Sequence, residues 1–293
     1  MNNIILTVCI LSFNRSDSLD KQLMWLQEEA DERLQVFVID NASTDDSLET
    51  LNKYKARIKN YSYVVNDANV GCDGSIVKSA NYCDGDYVLF LGDDYYSRGS
   101  IKTIIDILES YEPNILHITN KASPERVIFK NFNEKEIAKM ISRQLSFYMF
   151  MSANIYRKSV VEECNRLLKL EYATTLFYSL SSLRIGKTLI LNEQLIQQDF
   201  GNISWSNNTS KVWFFNIPLV FERCESNGYK KRFIKKMKHR NYGYFLFCST
   251  RKMFKALKYI KKNKRFLEIV NPITLFYYNV FLFKKIFGVK NIV

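Results

Sequence analysis

An α/β fold with a mostly parallel central sheet, followed by a basic α-helical tail, is what this chain of 293 residues predicts. Three observations carry that expectation. Short apolar runs alternate with segments whose apolar residues recur at helical spacing, and runs apolar enough to be buried on both faces need helical crossovers to lie parallel. Polar residues, several of them acidic, follow directly after those runs, at the strand ends where an open parallel sheet collects ligands. Cations crowd towards the C-terminus: the net charge is +12, yet no acidic residue lies between 229 and 265, and removing that region would leave a nearly neutral body.

The elements follow in order. Residues 4–11 form an apolar, β-prone run ended by Ser12-Phe13-Asn14, and residues 17–30 carry Leu19, Leu23 and Leu26 at helical spacing. The alternation continues with a strand over 35–40, a helix over 45–56, a strand over 61–65, a helix over 74–83 and a strand over 86–91. Ser43-Thr44-Asp45-Asp46 offers N-caps for the second helix, and Ser97 or Ser100 can cap the helix that holds Ile101, Ile104, Ile105 and Leu108. A strand over 114–119 comes next, then short strands over 126–130 and 147–155, helices over 158–168 and 174–185, and a strand over 188–191. From Lys211 the chain reads as helical, with the division between body (1–227) and tail (228–293) placed near Asn227-Gly228.

Composition narrows the class. With 47% hydrophobic and 25% charged residues, and only 4 prolines and 10 glycines, the chain is globular rather than disordered or repetitive. The six cysteines lack a C-x-x-C pair or a histidine neighbour, so buried reduced thiols are expected. The N-terminal apolar run has no basic flank and no small-residue cleavage site, which argues against secretion. The longest uncharged apolar run near the C-terminus, 273–283, is too short to cross a bilayer. His117 reads as a core-strand residue and His239 as a member of the basic face, neither with metal-ligand company.

The strand ends hold the chemistry. Strand one ends in Ser12-Phe13-Asn14-Arg15, strand two in Asp40-Asn41-Ala42-Ser43, strand three leads to Asn69-Val70-Gly71-Cys72-Asp73-Gly74, and strand four stops at Gly92-Asp93-Asp94. Any one carboxylate at a strand end can serve as a turn former or helix cap. Turn-forming does not explain why Asp40, Asp73 and Asp93-Asp94 should share one edge of the sheet, and like charges gathered there call for a cation or a donor-rich ligand. Hard carboxylate oxygens at Asp93 and Asp94 suit Mn2+ or Mg2+ with diphosphate completing the shell. Gly71 and Gly74 allow a ligand close to the backbone, and Arg15 is a natural diphosphate partner.

Taken in order, Thr7-Val-Cys-Ile-Leu-Ser-Phe-Asn-Arg15, Val38-Ile-Asp-Asn-Ala-Ser-Thr-Asp-Asp-Ser47, Asn69-Val-Gly71 and Gly85-Asp-Tyr-Val-Leu-Phe-Leu-Gly-Asp-Asp94 resemble the family 2 glycosyltransferases of GT-A fold. The resemblance implies a Rossmann-like domain binding a nucleoside-diphosphate sugar. Ser12 and Phe13 would pack around the base, Arg15 would sit by the phosphates, Asp40 would bind the base edge, Asp73 with Gly71 would line the sugar-nucleotide pocket, and Asp93 and Asp94 would touch ribose and metal. The chain departs from the family at Tyr95, where many relatives carry a third acid, and at Thr174-Thr175, where inverting members carry a Glu-Asp pair whose carboxylate is the general base. Glu171, one helical turn earlier, is the leading base candidate, with Asp199 in reserve; as a lone acid it would equally fit a helix cap. Asn41-Ala-Ser43, Leu91-Gly-Asp-Asp94 and Gln197-Gln-Asp-Phe-Gly-Asn-Ile-Ser-Trp205 look most like abequosyltransferase-type enzymes of bacterial surface polysaccharide synthesis.

In the tail, aromatics such as Phe233, Tyr242, Tyr244 and Phe254 interleave with the cations, so an interfacial helix on anionic lipid is favoured over plain solvation or a nucleic-acid partner. The expectation is therefore a cytoplasmic enzyme, peripheral on the inner face of the cell membrane, moving sugar to a lipid-linked saccharide acceptor with inversion. The rival is a non-catalytic membrane- or nucleic-acid-binding protein that keeps a degenerate glycosyltransferase body.

Overall fold

A computed structural model describes residues 3–29, 31–167, 173–197, 212–248, 274, 278 and 279. The chain divides into two compact units, Met1–Phe132 with Ser146–Asn202, and Asn133–Leu145 with Ile203–Val293.

The first unit is built on an eight-stranded sheet. Its strands are β1 (Leu6–Ser12), β2 (Leu34–Asp40), β3 (Tyr61–Val65), β4 (Tyr87–Leu91), β6 (Ile115–Ile118), β7 (Val127–Lys130), β8 (Asn154–Arg157) and β9 (Thr188–Leu191), ordered β3-β2-β1-β4-β8-β6-β9-β7. Pairings β3-β2, β2-β1, β1-β4 and β6-β9 are parallel, while β8 is antiparallel to β4 and β6, and β7 to β9. All strands but β7 and β8 therefore run the same way, as the sequence predicts. The central strands β2 and β4 are buried at every position, which is why they read as near-continuous apolar runs, whereas the edge strand β3 is half-buried or exposed throughout. A ribbon of β5 (Tyr95–Tyr96) with β10 (Ile196–Gln197) sits apart from the sheet.

Helices α1 (Ser16–Glu28), α2 (Ser47–Lys53) and α3 (Gly71–Ser79) connect the parallel strands. Helix α1 turns Leu19, Leu23 and Leu26 into one core with Val8, Val36 and Leu89. One helix start follows expectation and one differs from it. Asp45 accepts from Ser47 N–H at 3.1 Å at the start of α2 and from Ser16 N–H at 2.9 Å at the start of α1, one carboxylate serving two helices. Helix α4 (Ser100–Tyr111) has neither Ser97 nor Ser100 as its cap; Gly99, at φ +80°, occupies that position, and the Glu29 carboxylate takes the N–H groups of Gly99 and Ile101.

The strand expected over 147–155 is not one. Helix α5 (Glu134–Met149) occupies the first part, a 3-10 turn (Met151–Ala153) follows, and β8 begins only at Asn154. Asn133 Oδ1 accepts from the N–H groups of Lys135 and Glu136 while Glu136 returns a bond to Asn133 N–H, a reciprocal cap that fixes the start of α5. Buried Ile137, Ala138 and Ile141 carry the helical period that the apolar run 147–151 obscured. Helices α6 (Lys158–Leu167) and α7 (Thr174–Ile185) complete the first unit. Cys9, Cys83, Cys164 and Cys224 are buried and outside any disulfide, and His117 lies in the core of β6.

In the second unit, α8 (Ile217–Arg223) packs on α9 (Lys231–Cys248) through Ile217, Val220, Phe221, Phe233, Ile234 and Met237, with Gly228 at φ +80° making the turn between them. Lys231, Arg232, Lys235 and Lys236 are exposed on one face of α9. His239 departs from the expected basic face: it is buried and bonds Thr274 Oγ1 at 3.0 Å. Phe233 and Tyr242 also turn inward, as on a two-sided packed helix, while Tyr244 is exposed. Among the described residues no helix is long and apolar enough to cross a membrane.

Candidate functional site

Four parallel strands in the order β3-β2-β1-β4 bring their carboxyl ends to one edge, with Ser12 directly opposite Asp40 in register. Sequence-remote loops meet there because the crossovers return every strand in the same direction.

The loops after β1 and β2 are zipped together. Asn14, held at φ +51°, accepts from Thr44 N–H at 2.8 Å and donates its own N–H to Ser43 Oγ at 2.8 Å. Ser43 in turn donates N–H to Asp40 Oδ1 at 2.8 Å and its hydroxyl to Asp40 Oδ2. Asp40 thus stands at the expected edge but is only 2% exposed, with both oxygens engaged by Ser43. Burial pushes the Asp45 carboxyl up, yet the bonds from Ser47 and Ser16 outweigh it and hold the group below its ordinary range.

An amide cluster joins the second loop to the third. Asn41 donates to Asn69 Oδ1 at 2.7 Å and accepts from Asn66 Nδ2 at 3.1 Å and Val70 N–H at 2.9 Å. It fixes the entry to α3, where Gly71 at φ +77° adopts a backbone that side chains rarely take.

On the other flank of β1, Arg15 Nη1 lies 2.6 Å from Asp93 Oδ2, both side chains partly exposed. Asp94 is 9% exposed, and its Oδ2 accepts from Ser152 Oγ at 2.7 Å. The Gln22 amide donates to the carbonyls of Gly92 and Asp94, each at 2.7 Å, pinning that turn to α1. Burial, with the Asp94 charge adding, drives the Tyr96 phenol far above its ordinary range, while neighbouring Tyr95 is exposed on the ribbon.

Asp73 is buried and reaches across the sequence to the start of α7, where its Oδ1 accepts from Ala173 N–H at 3.1 Å and Thr174 N–H at 2.7 Å. Thr174 and Thr175 are buried as well, and the Thr175 hydroxyl donates to Met149 carbonyl at 2.8 Å. Glu171, Asp199 and Trp205 lie outside the described residues.

The structure therefore places Ser12 and Asp40 at the last positions of β1 and β2, Phe13, Arg15, Asp93 and Asp94 just after β1 and β4, and Gly71 and Asp73 in the first turn of α3, at the carboxyl ends of these strands. Phe13 is 42% exposed, and the Ser12 hydroxyl is buried without a hydrogen-bond partner among the described residues. Two contributors escaped the sequence reading. Gln22 left a signal, a polar residue inside the Leu19, Leu23, Leu26 face of α1; Ser152 left none, since its segment read as strand. Among the described residues no cluster of three or more histidine, cysteine, aspartate or glutamate side chains stands ready to hold a metal alone.

Comparison with known proteins gives the arrangement its lineage. The model of the family described as glycosyl transferase family 2 matches residues 7–164. No curated protein matches the chain in sequence. Among solved structures, TarS residues 1–349 of S. aureus superposes with a TM-score of 0.70 at 16% identity, covering 94% of this chain and 83% of that one. The same protein in complex with UDP-GlcNAc gives 0.65 at 15% identity, covering 94% and 84%. The mannosyltransferase PcManGT of Pyrobaculum calidifontis, in complex with GDP-Man and Mn2+, gives 0.54 at 12% identity, covering 96% and 80%. At such identities the likeness is one of fold. With more than half its length matched by the family model and a Rossmann-like GT-A architecture, the chain belongs to glycosyl transferase family 2.

Proposed function

We propose that this protein transfers a sugar, a hexose or deoxyhexose, from a nucleoside-diphosphate donor to a hydroxyl of a lipid-linked saccharide, with inversion at the anomeric carbon. The observation that carries the reading is the meeting of Arg15 with Asp93, next in the chain to Asp94, at the carboxyl edge of β1 and β4. A cation and two carboxylates at a strand-end loop suit a diphosphate bridged to a divalent metal.

The residues fit such an ion. Asp93 and Asp94 offer hard oxygens, and with only two carboxylates the remaining ligands would be donor phosphate and water, the usual arrangement for magnesium or manganese. When bound, the metal supplies charge stabilisation to the departing diphosphate. Arg15 does the same from the protein side, as a fixed donor that needs no reorganisation. Phe13, exposed at the end of β1, offers an apolar face to the base, and the orphaned Ser12 hydroxyl offers it a hydrogen bond. Asp40 supports the base pocket through Ser43 and Asn14. Glu171 remains the proposed general base on the acceptor hydroxyl. In the sequence it stands three positions before Thr174, whose N–H Asp73 accepts.

The acceptor side rests on charge. Lys231, Arg232, Lys235 and Lys236 share one exposed face of α9, which supports contact between the region 228–293 and anionic lipid at the inner face of the cell membrane. The likeness to abequosyltransferase-type enzymes supports a bacterial surface polysaccharide, O-antigen or capsule, as the product.

A second reading, a binding protein with a degenerate body, is favoured by one observation: buried Thr174 and Thr175 stand where inverting relatives carry acids. Turnover separates the two. The purified protein, given UDP-, GDP-, dTDP- and CDP-sugars with manganese and lipid-linked saccharides, is expected to release nucleoside diphosphate and form an inverted glycoside by NMR. Absence of release from every donor would favour the binding protein.

A further inference from the structure

We infer that Ser152 is a positioning residue for the Asp94 carboxylate, setting its plane for a divalent cation; this rests on the reading of Asp94 as a metal ligand. Ser152 is fully buried in the turn Met151–Ala153, between α5 and β8, and it donates to Asp94 Oδ2 at 2.7 Å. That is the length of a charge-assisted bond to a carboxylate, and such outer partners orient metal ligands.

The turn has anchors besides Asp94. Tyr96 donates its hydroxyl to the Ser152 carbonyl, and Ala153 N–H and Asn154 Nδ2 both donate to the Phe150 carbonyl, at 3.1 and 2.8 Å. On its α5 side, the carbonyls of Tyr148 and Met149 accept from the hydroxyls of Ser179 and Thr175 on α7, at 2.9 and 2.8 Å. The hydroxyl of Ser152 is thus preset by a platform anchored to α7 and to the ribbon strand β5. From the opposite side, Gln22 fixes the Asp94 main chain. Backbone and carboxylate are restrained separately, the first by Gln22 and the second by Ser152. The same platform joins the Asp94 side of the site to α7, whose start Asp73 caps.

The test is manganese affinity, read by electron paramagnetic resonance of free Mn2+ with saturating UDP or GDP in separate arms, beside melting temperature. Ser152→Ala should weaken manganese about tenfold to a hundredfold. Ser152→Cys, which keeps the volume but donates poorly, should do the same while holding the parental melting temperature more closely. If Asp94→Asn abolishes manganese uptake while both Ser152 variants stay within about twofold of the parent, whatever their melting temperatures, Ser152 has only a structural role and the assignment falls. If the parent takes up no manganese, or Asp94→Asn takes it up equally well, the reading of Asp94 fails and Ser152's role falls with it.

Discussion

The Arg15 guanidinium lies 2.6 Å from the Asp93 carboxylate, joining the loop after β1 to the loop after β4. Both side chains are about a quarter to a third exposed, so solvent screens the pair and its contribution to stability is small, about 1 kcal/mol or less. Its value to a diphosphate is larger, since removing one charge-assisted partner costs a ligand roughly tenfold or more. Arg15→Gln is therefore expected to keep the melting temperature within a few degrees while weakening nucleoside-diphosphate binding at least tenfold, as measured by calorimetry. A large loss of stability with unchanged binding would make the pair a structural tie.

Asp73 caps α7 from a hundred residues away. Asp73→Ala leaves the Ala173 and Thr174 N–H groups without that acceptor in a buried place and should cost about 1–3 kcal/mol in urea denaturation. Asp73→Asn, which keeps a side-chain oxygen, should cost distinctly less. Equal losses for both variants would show that charge, not the hydrogen bond, holds the helix.

Gly71 sits at φ +77° with open space where a Cβ would stand. Gly71→Ala should lose about 1 kcal/mol through backbone strain alone, since nothing blocks the added methyl. Gly74 differs, because its added Cβ would meet the Val70 side chain at 3.1 Å. If Gly71→Ala is as stable as the parent, the left-handed conformation there is wrong.

Burial lowers the His117 pKa from 6.5 to about 4, with only the bond to Asn154 opposing it. The folded protein thus disfavours the charged imidazole, and the unfolded chain takes up the proton first as pH falls. The stability this contributes is complete above about pH 6.5 and is lost progressively down to about pH 4, by roughly 3 kcal/mol in all. Denaturant midpoints taken across that window should fall for the parent more steeply than for His117→Phe, which has no proton to bind. Parallel profiles would contradict a buried neutral histidine.

How much of this was legible in the sequence depended on the range of the interaction. The βαβ order was readable because β1, β2 and β4 are buried on both faces and α1 repeats Leu19, Leu23, Leu26 at the helical period. The strand-end aspartates were readable because parallel topology turns sequence position into spatial position. Asp73 as a cap, Glu29 at Gly99, and Ser152 on Asp94 were not, since each joins segments far apart in the chain and no local pattern announces such a partner. The run at 147–151 misled because a short apolar stretch fits either period, and only the Asn133–Glu136 cap far upstream settles it as helix. His239 was misplaced because charge density along a helix says nothing of which residues turn inward.

The most direct test of the site is calorimetry of the purified protein against UDP, GDP, dTDP and CDP, each with and without manganese. At least one nucleotide should bind, and manganese should tighten it about tenfold or more, because the diphosphate oxygens would complete the shell begun by Asp93 and Asp94. Silence across the whole set, or binding indifferent to the ion, would contradict a metal-bridged donor at this edge of the sheet.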